Sequence, residues 1–214
     1  LDAAIAAGVE EIAVFAAASE SFSQKNINCS IAESLERFKP VLKKAQDNGI
    51  RVRGYVSCVA GCPYEGAIKP EAVKAVTKAL LDMGCYEVSL GDTIGIGTPS
   101  QIADLIDYLS KDKAIPVNKL ALHCHDTYGR ALANIYAGYQ SGIRTFDSAV
   151  GGLGGCPYAK GASGNVATED LVDMFNRMGL KTGVDLDKVI STAWSITKEL
   201  NQAPRSKLAH SRKP

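Results

Sequence analysis

Histidine is scarce in this chain. There are three in 214 residues, at 123, 125 and 210, so two of the three stand two residues apart. Long apolar runs are missing too: none approaches the ~18–20 residues that cross a bilayer as a helix, so a membrane partner is not expected. Neither sign of charge dominates. With 24 Lys+Arg against 23 Asp+Glu the net charge is +1, which gives no electrostatic footprint for nucleic acid or an acidic membrane surface. No Gly-x-Gly-x-x-Gly follows an early apolar run, which argues against a dinucleotide fold. The six cysteines, at 29, 58, 62, 85, 124 and 156, are irregularly spaced in a chain of ordinary size. A disulfide framework is therefore not expected, and reduced thiols point to a cytosol-like compartment. Cys58 and Cys62 have no second cysteine pair to complete a zinc site. No initiator Met and no signal peptide open the chain. It starts at Leu1-Asp2-Ala3-Ala4 in what reads as mid-helix, so an earlier leader is compatible with the sequence.

What is present is the composition of a globular domain, 46% hydrophobic and 22% charged, ample for one core. A unit repeats through it. Gly8, Gly49, Gly84 and Gly142 each end a helix-like segment and precede a short apolar run: Ile12 to Ala17, Val52 to Val56, Val88 to Leu90 and Phe146 to Val150. Glycine ends helices readily in the left-handed conformation. The remaining run, Lys119 to His125, is led in by Pro116. Ser30 with Glu33, and Thr98 with Gln101, read as capping boxes, and Pro70 and Pro99 suit the first helical position. Leu35, Phe38, Leu42 and Ala45 share one helical face, and Ala72, Val73, Val76, Ala79 and Leu80 another. Further helices are expected from Leu105 to Leu109, Leu132 to Tyr139, Thr168 to Met178 and Leu186 to about Asn201. Strands alternating with helices predict an α/β fold with a parallel sheet. Polar residues collect at the C-terminal ends of the strands: Ser19 and Glu20, Ser57 and Cys58, Ser89, Asp92 and Thr93, His123 and His125, Asp147 and Ser148. That pattern fits the active face of a barrel, and also the crevice of an open doubly wound sheet.

His123 and His125 end the run Leu120-Ala121-Leu122-His123-Cys124-His125. Alternate side chains on a strand share a face, so both imidazoles look the same way and can share one metal ion. A plain hydrogen-bonded pair is the competing reading. The stretch from Gly151 to Asn165 holds Gly151, Gly152, Gly154, Gly155, Gly161 and Gly164 around Cys156. It reads as a flexible connection, a phosphate cradle at a helix start, or a mobile flap. A thiol in its middle is neither core nor staple, and is a candidate acid, base or nucleophile. Asn165 is placed to return toward the strand ends as an oxygen ligand.

The segments His-Cys-His-Asp-Thr-Tyr-Gly at 123–129, Gly-Gly-Leu-Gly-Gly-Cys-Pro-Tyr-Ala at 151–159 and Gly-Asp-Thr-Ile-Gly at 91–95 resemble those of the hydroxymethylglutaryl-CoA lyases. Asn26-Ile27-Asn28-Cys29-Ser30 and the stretch from Val56-Ser57-Cys58 to Cys62-Pro63-Tyr64-Glu65 are similar too. The resemblance runs from residue 1 to about 200. It implies a TIM (β/α)8 barrel metallolyase that cleaves 3-hydroxy-3-methylglutaryl-CoA to acetyl-CoA and acetoacetate, in leucine degradation and ketone-body formation. It implies Mg²⁺ or Mn²⁺ held by His123, His125 and Asn165, with Cys156 as the catalytic thiol. Asn26, Tyr55, Ser89, Asp92 and Thr93 match positions near the substrate. It also implies a CoA thioester partner, a homodimer, and a cytoplasmic or mitochondrial-matrix location. Related synthases of the isopropylmalate or homocitrate type share the His-x-His strand but lack the loop cysteine; they, and a non-catalytic metal-binding protein, are the alternatives. One departure stands out. The family's first strand carries an Arg-Asp pair, and no Arg-Asp-Gly occurs here. Five strands are expected against the barrel's eight. Residues 1–202 therefore read as a partial barrel lacking about three units, with the general base and one metal ligand outside these residues. Pro204 and the basic stretch Arg205, Lys207, Arg212 and Lys213 read as a frayed or loosely docked tail, 203–214.

Overall fold

In a computed structural model, which describes residues 1–111, 115–155 and 164–213, strands and helices alternate as the glycine punctuation predicts. The strands are β1 (Glu11–Ala17), β2 (Arg51–Ser57), β3 (Glu87–Asp92), β4 (Leu120–Cys124) and β5 (Thr145–Asp147). They form one sheet in the order β1-β2-β3-β4-β5, every pair parallel. The helices are α1 (Asp2–Ala6), α2 (Glu20–Ile27), α3 (Ile31–Asp47), α4 (Pro70–Asp82), α5 (Pro99–Ser110), α6 (Ala131–Gln140), α7 (Thr168–Arg177), α8 (Leu186–Glu199) and α9 (Lys207–Ser211). No helix among the described residues is long and apolar enough to cross a membrane.

The two faces of the sheet differ in chemistry. Val14, Val52, Val88, Leu90, Leu120 and Leu122 point to one side and bury against Leu42, Val76, Leu80, Ile106 and Ile135 of the helices. Arg53, Tyr55, Glu87, Ser89, His123 and Asp147 occupy the alternate positions. Flat strands about 4.8 Å apart would put β2 roughly 14 Å from β5. Yet Arg53 on β2 donates to Asp147 on β5 at 2.7 Å. The polar face is therefore concave, the curvature of a barrel wall.

Local signals explain most boundaries. Ser30 and Thr98 both complete their capping boxes, with Glu33 and Gln101. One expectation, the end of β5, needs correction, and two others become specific. Ser19 and Glu20 stand just past the end of β1, as read, and both are hydrogen-bonded there. Ser19 caps α2, its Oγ accepting the Phe22 N–H at 3.0 Å, and Glu20 accepts the Ile31 N–H. β5 stops at Asp147, because Val150–Gly152 turns in a 3-10 helix with Gly151 at φ 65° and its N–H bound to Glu169. Of the two sequence readings of the tail, frayed or docked, the structure takes the docked one. Ser206 caps α9, the Asp170 carboxylate accepts Ser206 Oγ and the Leu208 N–H, and Ala209 is fully buried.

Candidate functional site

The strand ends gather the site. His123 and His125 lie on the concave face, with Nε2 atoms 3.3 Å apart. Asp147, beside His123 in the β4–β5 register, faces His123 Nδ1 at 3.3 Å. A carboxylate can only accept, so Nδ1 carries the proton and Nε2 keeps its lone pair. This is the carboxylate–histidine arrangement that orients metal-ligating imidazoles. Burial pushes Asp147 up, but hydrogen bonds from His123, Arg53 and Ser89 outweigh it and hold the carboxyl down at about 2. Burial, with His123 next to it, lowers the His125 imidazole to about 4, so the His125 ring is neutral at ordinary pH.

Asn165 forms an antiparallel bridge with His125, and residues directly opposed in such a bridge share a face. Its Nδ2 donates to the Leu153 carbonyl at 2.9 Å, and its Oδ1 is buried with no hydrogen-bond partner among the described residues. A buried acceptor left unpaired is costly. Two imidazole lone pairs and one orphaned carboxamide oxygen are a donor set that fits a divalent cation. At ligand distances of about 2.1 Å, adjacent positions lie roughly 3 Å apart, close to the 3.3 Å between the two Nε2 atoms. Among the described residues no group of three or more His, Cys, Asp or Glu is poised for a metal; the third donor here is an amide.

A cavity of about 230 Å³ opens above these groups, lined by Phe15, Asn26, Tyr55, Thr93, His123 and His125 among others. Three of the five substrate-side residues named from the sequence thus meet at one place. Ser89 lies one layer down, fully buried, donating to Asp147 at 2.8 Å. Asp92 does not join them. It alternates onto the helix side of β3, where it accepts the Gly97 N–H and burial pushes its carboxyl up to about 6. It supports the turn that carries Thr93, whose Oγ1 in turn accepts the Cys58 N–H at 2.8 Å and holds Cys58 at the unusual φ of 65°. Cys156 lies outside the described residues.

Sequence reasoning passed over Arg53. Its guanidinium is buried and binds Glu87 at 2.8 Å, Asp147 at 2.7 Å and the Tyr55 hydroxyl at 2.6 Å. The signal existed: an arginine inside the apolar run Val52 to Val56 is rarely buried unless paired. Its partners, 34 and 94 residues away, were invisible without the register.

The HMGL-like family model matches residues 1–196. The cytoplasmic 3-hydroxy-3-methylglutaryl-CoA lyase of Rattus norvegicus is 60% identical over 209 residues, which is 98% of this chain and 60% of that protein. The mitochondrial hydroxymethylglutaryl-CoA lyase of Bos taurus is 58% identical over 207 residues, 97% of this chain and 63% of its own length. The chain therefore spans about 60% of the length of the curated relatives it matches. The crystal structure of hydroxymethylglutaryl-CoA lyase from Pseudomonas aeruginosa superposes with a TM-score of 0.93 at 54% identity, covering 98% of this chain and 69% of that one. An HMG-CoA lyase from Acinetobacter baumannii, solved in complex with coenzyme A and 3-methylmalate, gives 0.90 at 35%, covering 97% and 67%. Alternating parallel strands, a polar concave face and a match over nearly the whole length agree: this chain belongs to the HMGL-like family.

Proposed function

We propose that these residues form the larger part of a divalent-metal carbon–carbon lyase acting on 3-hydroxy-3-methylglutaryl-CoA and releasing acetyl-CoA and acetoacetate. The observation that carries the reading is the 3.3 Å approach of His123 Nε2 to His125 Nε2, with Asn165 bridged to His125 and its Oδ1 buried without a partner among the described residues. These three would hold Mg²⁺ or Mn²⁺. When bound, the cation supplies positive charge that lowers the pKa of the substrate's tertiary hydroxyl and fixes its orientation.

The other residues set the stage for bond cleavage. Once the hydroxyl loses its proton, the oxygen lone pair closes to a ketone. The carbon–carbon bonding pair leaves on the thioester fragment as an enolate, whose carbon must then take a proton. Cys156 is the proposed donor of that proton. Asp147 keeps His123 in the tautomer that offers Nε2 to the site. Arg53 neutralises Asp147, and Tyr55 and Thr93 shape the wall against which the acyl group lies. Phe22, buried in the same cavity, and Phe15 beside it give the carbanion side an apolar lining. Homodimer formation and a role in leucine degradation follow the family resemblance and belong to the same proposal.

The test is direct. The full-length protein, incubated with 3-hydroxy-3-methylglutaryl-CoA and Mg²⁺, is expected to release acetoacetate, and chelation is expected to stop it. His123→Ala is expected to lose most turnover and most Mn²⁺ affinity. Cys156→Ser should bind Mn²⁺ as the wild type does and turn over poorly, since only the proton donor changes. Condensation of acetyl-CoA onto a 2-oxo acid, with no acetoacetate formed, would overturn the reading in favour of a synthase.

A further inference from the structure

We propose that Arg205, in the C-terminal tail, is a positioning residue for the Asn165 carboxamide and so sets the affinity of the strand-end site for its cation. The inference rests on the reading of His123, His125 and Asn165 as ligands. An asparagine amide can present either end to a site. Here the Leu153 carbonyl decides, because a carbonyl only accepts. It takes Asn165 Nδ2 at 2.9 Å and leaves Oδ1 facing the other way, buried and without a partner among the described residues. The orientation of one peptide plane, that of Leu153, therefore selects which atom Asn165 offers.

That plane lies in a stretch with little stiffness of its own. Gly151, Gly152 and Gly154 all have positive φ, and glycine lets such peptides rotate at small cost. Arg205 grips the stretch on both sides of Leu153. Its backbone N–H donates to the Gly151 carbonyl at 2.8 Å. Its guanidinium Nη1 reaches the Gly152 carbonyl at 3.4 Å and the Gly154 carbonyl at 3.3 Å. The second two contacts are long, but they come from one cation shared between two carbonyls that flank the one Asn165 reads. The returning stem is close as well: a Cβ added at Gly164 would sit 2.6 Å from the same Nη1. The guanidinium is thus lodged between the two stems of chain, one residue before Asn165.

Arg205 is itself held. Ser206 Oγ and the Leu208 N–H both bond to Asp170 Oδ1, at 2.8 and 2.9 Å, and Trp194 Nε1 donates to the Ala209 carbonyl at 3.0 Å. Asp170 stands in the first turn of α7, five residues after Asn165. The tail therefore closes a short loop of contacts from α7, through Arg205, back to the amide. Outer groups that orient a ligand in this way typically change metal affinity by about 10–100-fold when removed.

The experiment titrates Mn²⁺ into the full-length protein and reads the free-ion signal by electron paramagnetic resonance. Arg205→Ala, Arg205→Lys, Asn165→Ala, His123→Ala and the Arg205→Ala/Asn165→Ala pair are compared with wild type. Arg205 is solvent-exposed, so its substitution leaves the apolar core intact, and thermal melting checks each fold. Arg205→Ala is expected to weaken Mn²⁺ about 10-fold, near the low end of that range. Arg205→Lys should fall between, since it keeps a cation but on a compact, strongly hydrated ammonium that gives up water less readily than guanidinium. In the Asn165→Ala background, removing Arg205 should change nothing further, because the two act through one amide. Wild-type affinity in Arg205→Ala would overturn the proposal, and so would an additive loss in the double variant. If Asn165→Ala and His123→Ala themselves bind Mn²⁺ normally, the ligand reading fails first, and this inference falls with it.

Discussion

His125 and Asp92 are both buried near the strand ends, and burial moves them in opposite directions. The imidazole falls from 6.5 to about 4 and the carboxyl rises from 3.8 to about 6. The unfolded chain protonates His125 below pH 6.5, while the folded chain resists until about 4. His125 thus contributes stability at neutral pH that is lost as pH falls through that window. Asp92 does the reverse: the folded state holds its proton up to about 6, so its contribution is present at low pH and lost as pH rises from 3.8 to 6. Each window is worth on the order of 3 kcal/mol, and between pH 4 and 6 the two nearly cancel. Asp147, held down at about 2, adds a loss only below pH 3.8. Urea unfolding in the presence of a chelator should therefore give a shallow stability profile from pH 4 to 6. Asp92→Asn, which keeps an acceptor for the Gly97 N–H, should uncover a rise with pH of up to about 3 kcal/mol, and His125→Asn a decline. If both variants trace the wild-type profile, burial does not govern these groups.

Helix starts were legible because their chemistry is local. Ser30 with Glu33 and Thr98 with Gln101 carry both partners of the capping box within four residues, and both boxes form. The end of β5 and the docking of the tail were not legible, because their partners are remote. Gly151 turns on Glu169, 18 residues away, and Ser206 on Asp170, 36 away. Gly138 shows the same limit inside a helix. Read locally, a glycine in α6 weakens it by about 1 kcal/mol relative to alanine, and replacement should help. In the fold, a Cβ there would lie 2.1 Å from Leu122 Cδ1, and Leu122 is fully buried. Overpacking of this kind costs about 1–3 kcal/mol, which exceeds the propensity gain. Gly138→Ala is expected to lower the melting temperature, and Leu122→Val in the same chain should restore part of the loss. A Gly138→Ala protein that melts higher than wild type would show that α6 can shift outward at no cost. Leu122 precedes His123, so such a shift would also move the site.

At the scale of the whole molecule, the sequence told which residues lie near one another better than how they are wired. Two histidines on alternate strand positions declared a shared face, and Asn165 was named as their oxygen partner; the bridge between His125 and Asn165 brings them together. Arg53 and Asp147 stayed unlinked because their contact spans four strands, which only curvature allows. The same curvature defines how the 214-residue polypeptide should behave on its own. Among the described residues β1 pairs only with β2, and β5 only with β4. β5 is three residues long and a poor template. β1 is seven residues long, and after Glu11 it reads Ile12-Ala13-Val14-Phe15-Ala16-Ala17, with no charge and no proline. Natural edge strands are usually blunted by charge, proline, bulges or shortness, and this one has none of these beyond its first residue. On the concave face Phe15 is 51% exposed and stacked, among the described residues, only on Tyr55 at 4.6 Å. An unpaired apolar edge beside an exposed aromatic ring is a surface for association with another β1. Expressed alone, this polypeptide should sediment as concentration-dependent oligomers and bind a hydrophobic dye. Phe15→Lys, which places a charge on that edge, should shift it toward monomer while leaving the helix-facing core unchanged. A wild-type polypeptide that sediments as a monomer at every concentration and melts cooperatively would show that β1 is already protected.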